Sequence, residues 1–548
     1  MCGGIEEGDG GDEEGVLIEN ENNIKITMTR ITFFLSLLLL YGCNSYAAEL
    51  PLTPTHHNPL VSTLPPASEW ATGSYVTYEQ FGAVGDGATD DFAAIVAAHH
   101  FANAHGLRVR ATSGNAYYIG NSVEVGSAII QTDTDWTGAT FRINDTDISV
   151  ADRLHQIFRV MPSRDKIDLL EQVSSLRKGQ ERIDINLDFD AVIHAVDTNI
   201  KFNRKRFGSN QHWQTHDKTD VFRVNGNGYV DESTPILFDF DVLTSIYAYP
   251  IDEEILTIRG GKFITIARPH FVPRYWHRGI EIRRSNVVIE GIEREVIQSE
   301  TPGEVAVYYA FFFITLSSDV TIRDSQFVGR TRGISGQLES SYELMLISTL
   351  NVSIVNVQQT NSITARQFWG IMAGSSNKNV LFDNVSTSRF DIHRQVHNAT
   401  VLNSQIGYQG ILVTGSGLLW VENTTVQHGS RFIEFREDWG STWNGDVVVK
   451  NSTFIPTTNT NRLTIIYYQN NGRFDFAFDC FMPRKVVIDG LTVYHNPENP
   501  ANAQIWMFNN QEFDGTNGSR TEKLMFRGIN FEFRIPDFLR DRMEIVEW

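Results

Sequence analysis

The chain has 548 residues, 41% of them hydrophobic and 20% charged. That balance excludes a largely disordered protein. Lys and Arg number 46 against 66 Asp and Glu, so the net charge of −20 argues against a nucleic-acid binder relying on bulk positive charge.

The charge is unevenly spread. Residues 1–27 carry eight acids and Lys25, a net −7, while residues 28–48 carry only Arg30. Met28-Thr29-Arg30, the apolar stretch Ile31 to Leu40 and the small-residue end at Ala47-Ala48 have the build of a secretory signal over 28–48. Its apolar part is too short to span a bilayer as a stable helix. Residues 1–27 have no place in such a signal, so Met28 is the expected start and 1–27 a misassigned leader. A rival reading takes Leu40-Tyr41-Gly42-Cys43 as a lipoprotein cleavage box with Cys43 as lipid acceptor. The bulky Tyr41 counts against it. Both readings export the protein. Of Cys2, Cys43 and Cys480 only Cys480 would survive cleavage, so no intrachain disulfide is expected and none of the cysteines has zinc spacing.

After a linker over 49–75, the segment Phe81-Gly82-Ala83-Val84-Gly85-Asp86-Gly87-Ala88-Thr89-Asp90-Asp91 opens a helix-like run, Phe92 to Ala104. The glycines suit a tight turn and Asp90 or Asp91 a helix cap, so Asp86, Asp90 and Asp91 are read as structural. Residues 150–255 are read as a mixed insertion, with a helix-like stretch from Ile167 to Arg182. The insertion also holds the basic run Lys201 to Arg206, a solvated surface or the lining of a groove for an anionic chain.

The rest repeats. Short β-branched runs with period two end at Gly260, Gly291, Asp324, Asn356, Asn384, Asn403, Asn423, Asn451, Gly490 and Gly528. Gly, Asn and Asp tolerate the left-handed turn that a strand corner needs, and stacked Asn side chains can bond coil to coil. A unit of about 20 residues with so little apolar surface cannot bury it alone; stacking neighbours builds a continuous core. The pattern predicts an all-β parallel β-helix over 76–548 with one strand read per coil. An antiparallel sandwich is the alternative, but tight hairpin signals are few.

With the 81–91 motif added, the chain resembles the pectin-lyase-like (pectate lyase) superfamily, single-stranded right-handed parallel β-helices. There this motif precedes a helix capping the open end of the coil. Trp369 to Met372, Phe390 to His393, Gly407 to Gly410 and Asp438 to Trp443 look like a branch of secreted pectate-lyase-like proteins. More loosely, they look like biofilm-matrix exopolysaccharide lyases of the RbmB type. In the relatives the second position of Gly-x-Gln-Gly is often His; here it is Tyr408.

Offsets from the corners pick out candidate site residues. Arg330 and Arg332 lie 6 and 8 residues past theirs, Arg366 10, His393 9, Gln409 6 and Arg431 8. Similar offsets would stack them along one face; the plainer alternative pairs each Arg with a local acid such as Glu339, Asp391, Glu434 or Asp438. A cationic groove with one imidazole suits β-elimination of a uronate. A base removes the C5 proton, which suits His393. Arg366 and Arg436 would neutralise the carboxylate and Tyr408 protonate the leaving oxygen. Asp391, Arg394, His397 and Asp438 would add substrate contacts, and Trp369 and Trp439 would stack on sugars. The resemblance implies a uronate-containing matrix exopolysaccharide. Hydrolysis by paired carboxylates, C5 epimerisation and carbohydrate binding without catalysis stay open. No cofactor is expected, although calcium serves in pectate lyases. The expected partner is an acidic polysaccharide, with no nucleic acid, no membrane span and a monomeric chain.

Overall fold

A computed structural model describes residues 74–531, apart from 121–122, 124, 206–211, 270, 273, 300, 302–303, 333–340, 458–461, 470–473, 495–503 and 509–520. The acidic leader, the secretory segment with Cys43, and all but the last two residues of the linker lie outside the described residues.

The repeat read from the sequence is the spine of the molecule. Leu256, Val287, Val320, Val352, Val380, Ala399, Leu419, Val447, Val486 and Leu524 pair in parallel, each with the next, in register. Two residues on, Ile258, Ile289, Ile322, Ile354, Phe382, Val401, Val421, Val449 and Ile488 point inward and are wholly buried. Period two puts one side chain per pair inside, and stacking at the strand spacing of about 4.8 Å makes these side chains a continuous column. The fold is a parallel β-helix.

All ten corner residues have positive φ, from 44° at Asn451 to 77° at Gly490. Asn356 Nδ2 donates to Asp324 at 2.9 Å, and Asn384 Nδ2 to Asn356 at 2.8 Å. The ladder then slips: Asn403 donates to Asp383 at 2.7 Å, and Asn423 to Asn403 at 3.2 Å. A second ladder, unseen in the sequence, runs along the opposite end of the same strands. Asn351 donates to Asp319, Asn379 to Asn351 and Asn398 to Asn379, at 2.9–3.0 Å. A side chain forced into the left-handed region costs about 1–2 kcal/mol. Asn offsets that cost through its ladder bonds, and Gly avoids it. Asn384→Ala should therefore lower stability by about 1–2 kcal/mol and Asn384→Gly by less, read from denaturant midpoints.

The coils carry further strands beside the spine strand. After the Gly291 corner, Glu293–Ile297 pairs with Lys262–Ile266, and before the spine strand Tyr308–Thr315 pairs with Trp276–Ile282. These runs escape a period-two reading because some are very short and others, such as Tyr308–Thr315, are apolar on both faces.

At the N-terminal end the helix spans Phe92–His105 and closes at Gly106, in the left-handed conformation. The acids before it are structural. Asp91 accepts from Val84 N at 2.6 Å, Asp90 from Phe92 N at 3.1 Å, and Asp86 from Ala88 N and Thr89 N at 2.8 and 2.7 Å. His99 on the helix is buried and bonds Tyr78 OH at 3.0 Å; burial pulls it down to about 3, so it stays neutral.

The insertion corrects one expectation. Ile167 to Arg182 is not helical: Ile167–Asp168 is a strand, and Leu176 and Arg182 bridge to Phe240 and Tyr229. Leu169, Val173 and Leu176 have helical spacing, but they feed a sheet core with Ile193, Phe222 and Ile246. Ser174-Ser175 and Gly179, at φ 71°, weaken any helix there. The sheet of the insertion is antiparallel, ordered His212–Val224, Ala191–Lys205, Ser245–Pro250, Ile167–Asp168, whereas Phe158–Val160, within the expected bounds of 150–255, pairs in parallel with Ala128–Ile130 and Ile280–Ile282 and belongs to the coils. A buried ion pair, Lys378 Nζ to Asp220 Oδ1 at 2.8 Å, ties it to the coils. Among the described residues no helix is long and apolar enough to cross a membrane.

Candidate functional site

The strand Ser386–Leu402 builds the site. Phe390 and Ile392 point into the core, so Arg389, Asp391 and His393 share the outer face. Asp391 Oδ2 lies 2.6 Å from Arg389 and 3.1 Å from His393 Nε2, while Asp391 Oδ1 accepts from Arg436 at 2.6 Å. Arg436 also grips Asp438 through Nε and a terminal nitrogen, both at 3.0 Å. From the insertion, Arg204 donates to Asp438 at 2.7 Å. Arg394 lies over the Trp439 ring at 5.7 Å. The cluster thus holds four guanidiniums against two carboxylates.

That excess sets the protonation states. Burial alone would raise Asp391, but Arg389 and Arg436 hold it well below the carboxylate range. Asp438 is likewise desolvated, yet Arg436 and Arg204 bring it to about 2. An ionised Asp391 only accepts, so its 3.1 Å approach to Nε2 favours the tautomer with the hydrogen on Nε2 and the lone pair on Nδ1. Nδ1 has no hydrogen-bond partner among the described residues, and 23% of the side chain is exposed. Burial lowers the His393 pKa, Asp391 opposes, and Arg436 and Arg204 lower it further; the net shift is downward. The ring is therefore neutral at pH 7, with a lone pair available to take a proton.

A relay leads to Tyr408. Arg389 donates to Tyr342 OH at 2.9 Å and to Gln409 Oε1 at 2.7 Å; Gln409 Nε2 donates to Tyr408 OH at 2.9 Å. Tyr408 OH donates to the Phe368 carbonyl at 2.8 Å. Burial raises the Tyr408 pKa, so the phenol keeps its proton.

Several expected site residues lie elsewhere or play another part. Arg330 is buried at 1% exposure with Glu343 at 2.7 Å, so it cannot touch a glycan. Asp391 is wholly buried and acts on its three partners rather than on substrate. Trp439 is 3% exposed, packed among His216, Arg204 and Arg394, and offers no sugar platform. His397 bonds Ser416 at 3.0 Å beside the second Asn ladder, outside the cluster. Arg431 pairs with Glu434 at 2.7 Å, the plainer of its two readings. Trp369 is half-buried, with Arg332 and Arg389 over its ring at 4.8 and 4.3 Å. Arg366 is exposed and makes no ion pair among the described residues; its charge acts on the Tyr408 phenol, not on Asp391. One face therefore gathers His393, Asp391, Arg436, Asp438, Tyr408 and Gln409, but not the full column of arginines.

Arg389, Tyr342 and Arg204 belong to the cluster without having been picked from the sequence. Period two would have found Arg389, two and four residues from Asp391 and His393. The basic run Lys201 to Arg206 marks Arg204 as a cation, but nothing local marks its partner, Asp438, 234 residues away.

Calcium does not fit the cluster. The Asp391 and Asp438 carboxylates are engaged by arginines, and among the described residues no three His, Cys, Asp or Glu side chains converge to hold a metal ion.

No protein-family model and no curated protein matches this chain. Solved structures align with it at low identity. An endo-xylogalacturonan hydrolase from Aspergillus tubingensis aligns at 12% identity over 83% of this chain and 92% of its own, with a TM-score of 0.36. A mannuronan C-5 epimerase module from Azotobacter vinelandii aligns at 12% over 84% and 96%, with a TM-score of 0.34. The tailspike of Acinetobacter baumannii bacteriophage AP22, solved with a capsular saccharide, aligns at 10% over 82% and 73%, with a TM-score of 0.41. Likeness at this level says nothing of chemistry, which has to be read from this chain's own residues.

Proposed function

We infer that this chain is a secreted polysaccharide lyase that cleaves a uronic-acid-containing exopolysaccharide by β-elimination. The observation that carries the reading is a neutral imidazole, oriented by a buried carboxylate, inside a cluster with two more guanidiniums than carboxylates. The excess positive charge draws in the uronate carboxylate and stabilises the charge that builds on it as C5 loses its proton. Arg436, with three of its five N–H donors committed, and the exposed Arg366 are the groups that reach it. His393 Nδ1 takes the C5 proton, the C5 electrons form the C4–C5 double bond, and the C4–O bond breaks. Tyr408 gives its proton to the leaving oxygen, exchanging its bond to Phe368 for one to the glycan.

Hydrolysis is the second reading, and one residue favours it. Burial raises the Glu437 pKa, with Lys205 opposing the shift and Glu434 adding to it, so this acid beside Asp438 is biased toward its protonated form. It would still need an ionised partner at glycosidase spacing. Incubation with several acidic exopolysaccharides, with and without EDTA, separates the two. Elimination yields a 4,5-unsaturated uronate that absorbs in the ultraviolet, whereas shortened chains without that absorbance would replace lyase by hydrolase. Binding without shortening would leave a carbohydrate-binding protein, and C5 inversion without shortening an epimerase. Equal activity with EDTA is expected.

The depressed His393 pKa sets a pH profile. The base form persists as pH falls until the folded pKa is crossed, so kcat/KM should decline only below the ordinary histidine value of 6.5. An acid limb at or above 6.5 would assign the base to another group.

A further inference from the structure

The insertion does more than decorate the coils, because it delivers a cation into the site. Arg204 stands near the end of the strand Ala191–Lys205 and contacts Asp438 twice, at 2.7 Å through Nε and 2.6 Å through a terminal nitrogen. Its neighbours show that this stretch is docked: Asn203 N donates to the Phe476 carbonyl at 2.9 Å, and Phe202 packs on Phe478 at 5.3 Å. From the facing strand His216 lies against Trp439, at 5.3 Å between rings. Asp438 sits in the short 3-10 turn Glu437–Trp439, and five polar contacts link Arg204 to Asp438, Asp438 to Arg436 and Arg436 to Asp391 in one chain.

We propose that Arg204 is a positioning residue for the reaction: by gripping Asp438 it fixes the fork of Arg436 that braces Asp391, and through Asp391 it sets the His393 ring. The reasoning is steric and electrostatic. Asp438 has two oxygens for two guanidiniums. Without Arg204 it can swing in its turn, and Arg436 loses the rigid partner that aims it at Asp391. His393 touches Asp391 and Tyr342; Arg389 and Arg436 reach it through Asp391, and Arg204 and His216 act on it from the insertion. Arg204 is the cation among them carried by the insertion, so the antiparallel sheet completes the site.

The proposal takes the elimination reading for its kinetic consequence, but its test does not depend on it. The His393 imidazole is titrated by NMR in the full chain, its signal assigned by its loss in His393→Gln. Arg204→Gln should move the His393 midpoint upward, since Arg204 is one of the charges lowering it. Arg204→Lys should restore most of the wild-type midpoint, and Asp438→Asn should disturb the same signal from the other side of the contact. Lys201→Gln, on the strand of Arg204 and breaking a pair with Asp217 of the facing strand, should leave the signal in place. If the wild type eliminates a uronate polymer, Arg204→Gln should lower kcat about tenfold with KM changed less than about threefold, as expected for a misaimed rather than an absent group. An unmoved His393 midpoint in folded Arg204→Gln overturns the proposal, whatever the substrate. A moved midpoint in a protein without lyase activity keeps the positioning role and discards the reaction.

Discussion

Alanine at position 393 should lower kcat on a uronate polysaccharide by about 10²–10⁴-fold while leaving the coils folded, because a positioned general base contributes roughly that much. The ring is 23% exposed and packs no core, so its loss removes chemistry rather than structure. Asp391→Asn separates orientation from basicity. An amide at that position no longer fixes the hydrogen on Nε2 and leaves Arg389 and Arg436 without their shared anion. Its kcat should fall as well, with a drop in stability that His393→Ala does not show. The readout is the initial rate of ultraviolet-absorbing product, with circular dichroism to confirm the fold. A folded His393→Ala protein keeping more than about a third of wild-type kcat would remove His393 from the mechanism.

The largest loss of stability should come from a residue far from any substrate. Inside the coils Glu343 accepts from Arg294 and from Arg330, both at 2.7 Å, and all three side chains are at most 1% exposed. Arg294 also donates to the Phe263 carbonyl and lies over Phe311, while Arg330 lies over Tyr308. Tyr308 OH in turn bonds Asp145, itself paired with the buried Arg278 at 2.8 Å. Glu343→Gln would leave two buried guanidiniums facing a neutral amide, and removing one member of a buried ion pair costs about 3–5 kcal/mol. The contrast is Arg323→Gln on the outer surface, where a half-exposed arginine pairs with Glu290 and should cost under about 1 kcal/mol. Guanidinium unfolding midpoints for the two variants decide it. Equal midpoints would mean that water reaches the interior charges.

The spine of the fold was legible because its signal is local and repeated. Ten short runs, each closed by Gly, Asn or Asp, needed only period two and a left-handed corner to be read, and each pairs with the next in register. The strands before and after the spine were not legible, since Tyr308–Thr315 is apolar throughout and Ser386-Thr387 pairs over two residues with Gln405-Ile406. The insertion misled because Leu169, Val173 and Leu176 satisfy helical spacing and sheet burial alike, and only their distant partners decide between the two. At the site, His393, Asp391, Tyr408, Gln409 and Arg436 were readable from motifs on adjacent coils. Arg330 was not: an offset count says which coil a side chain leaves, not whether it points inward or outward. Arg204 was legible only as part of the basic run Lys201 to Arg206; its partner was not, because that partner is fixed by tertiary docking alone.

That docking has a temporal side. A solenoid accretes turn by turn, each new turn templated on the last, so it can assemble in chain order. The hairpin bearing Arg204 emerges long before residue 438, its landing place, has been synthesised. Competence thus waits on the turn that carries Asp438, and a chain cut before residue 436 would hold well-formed turns with an unarmed face.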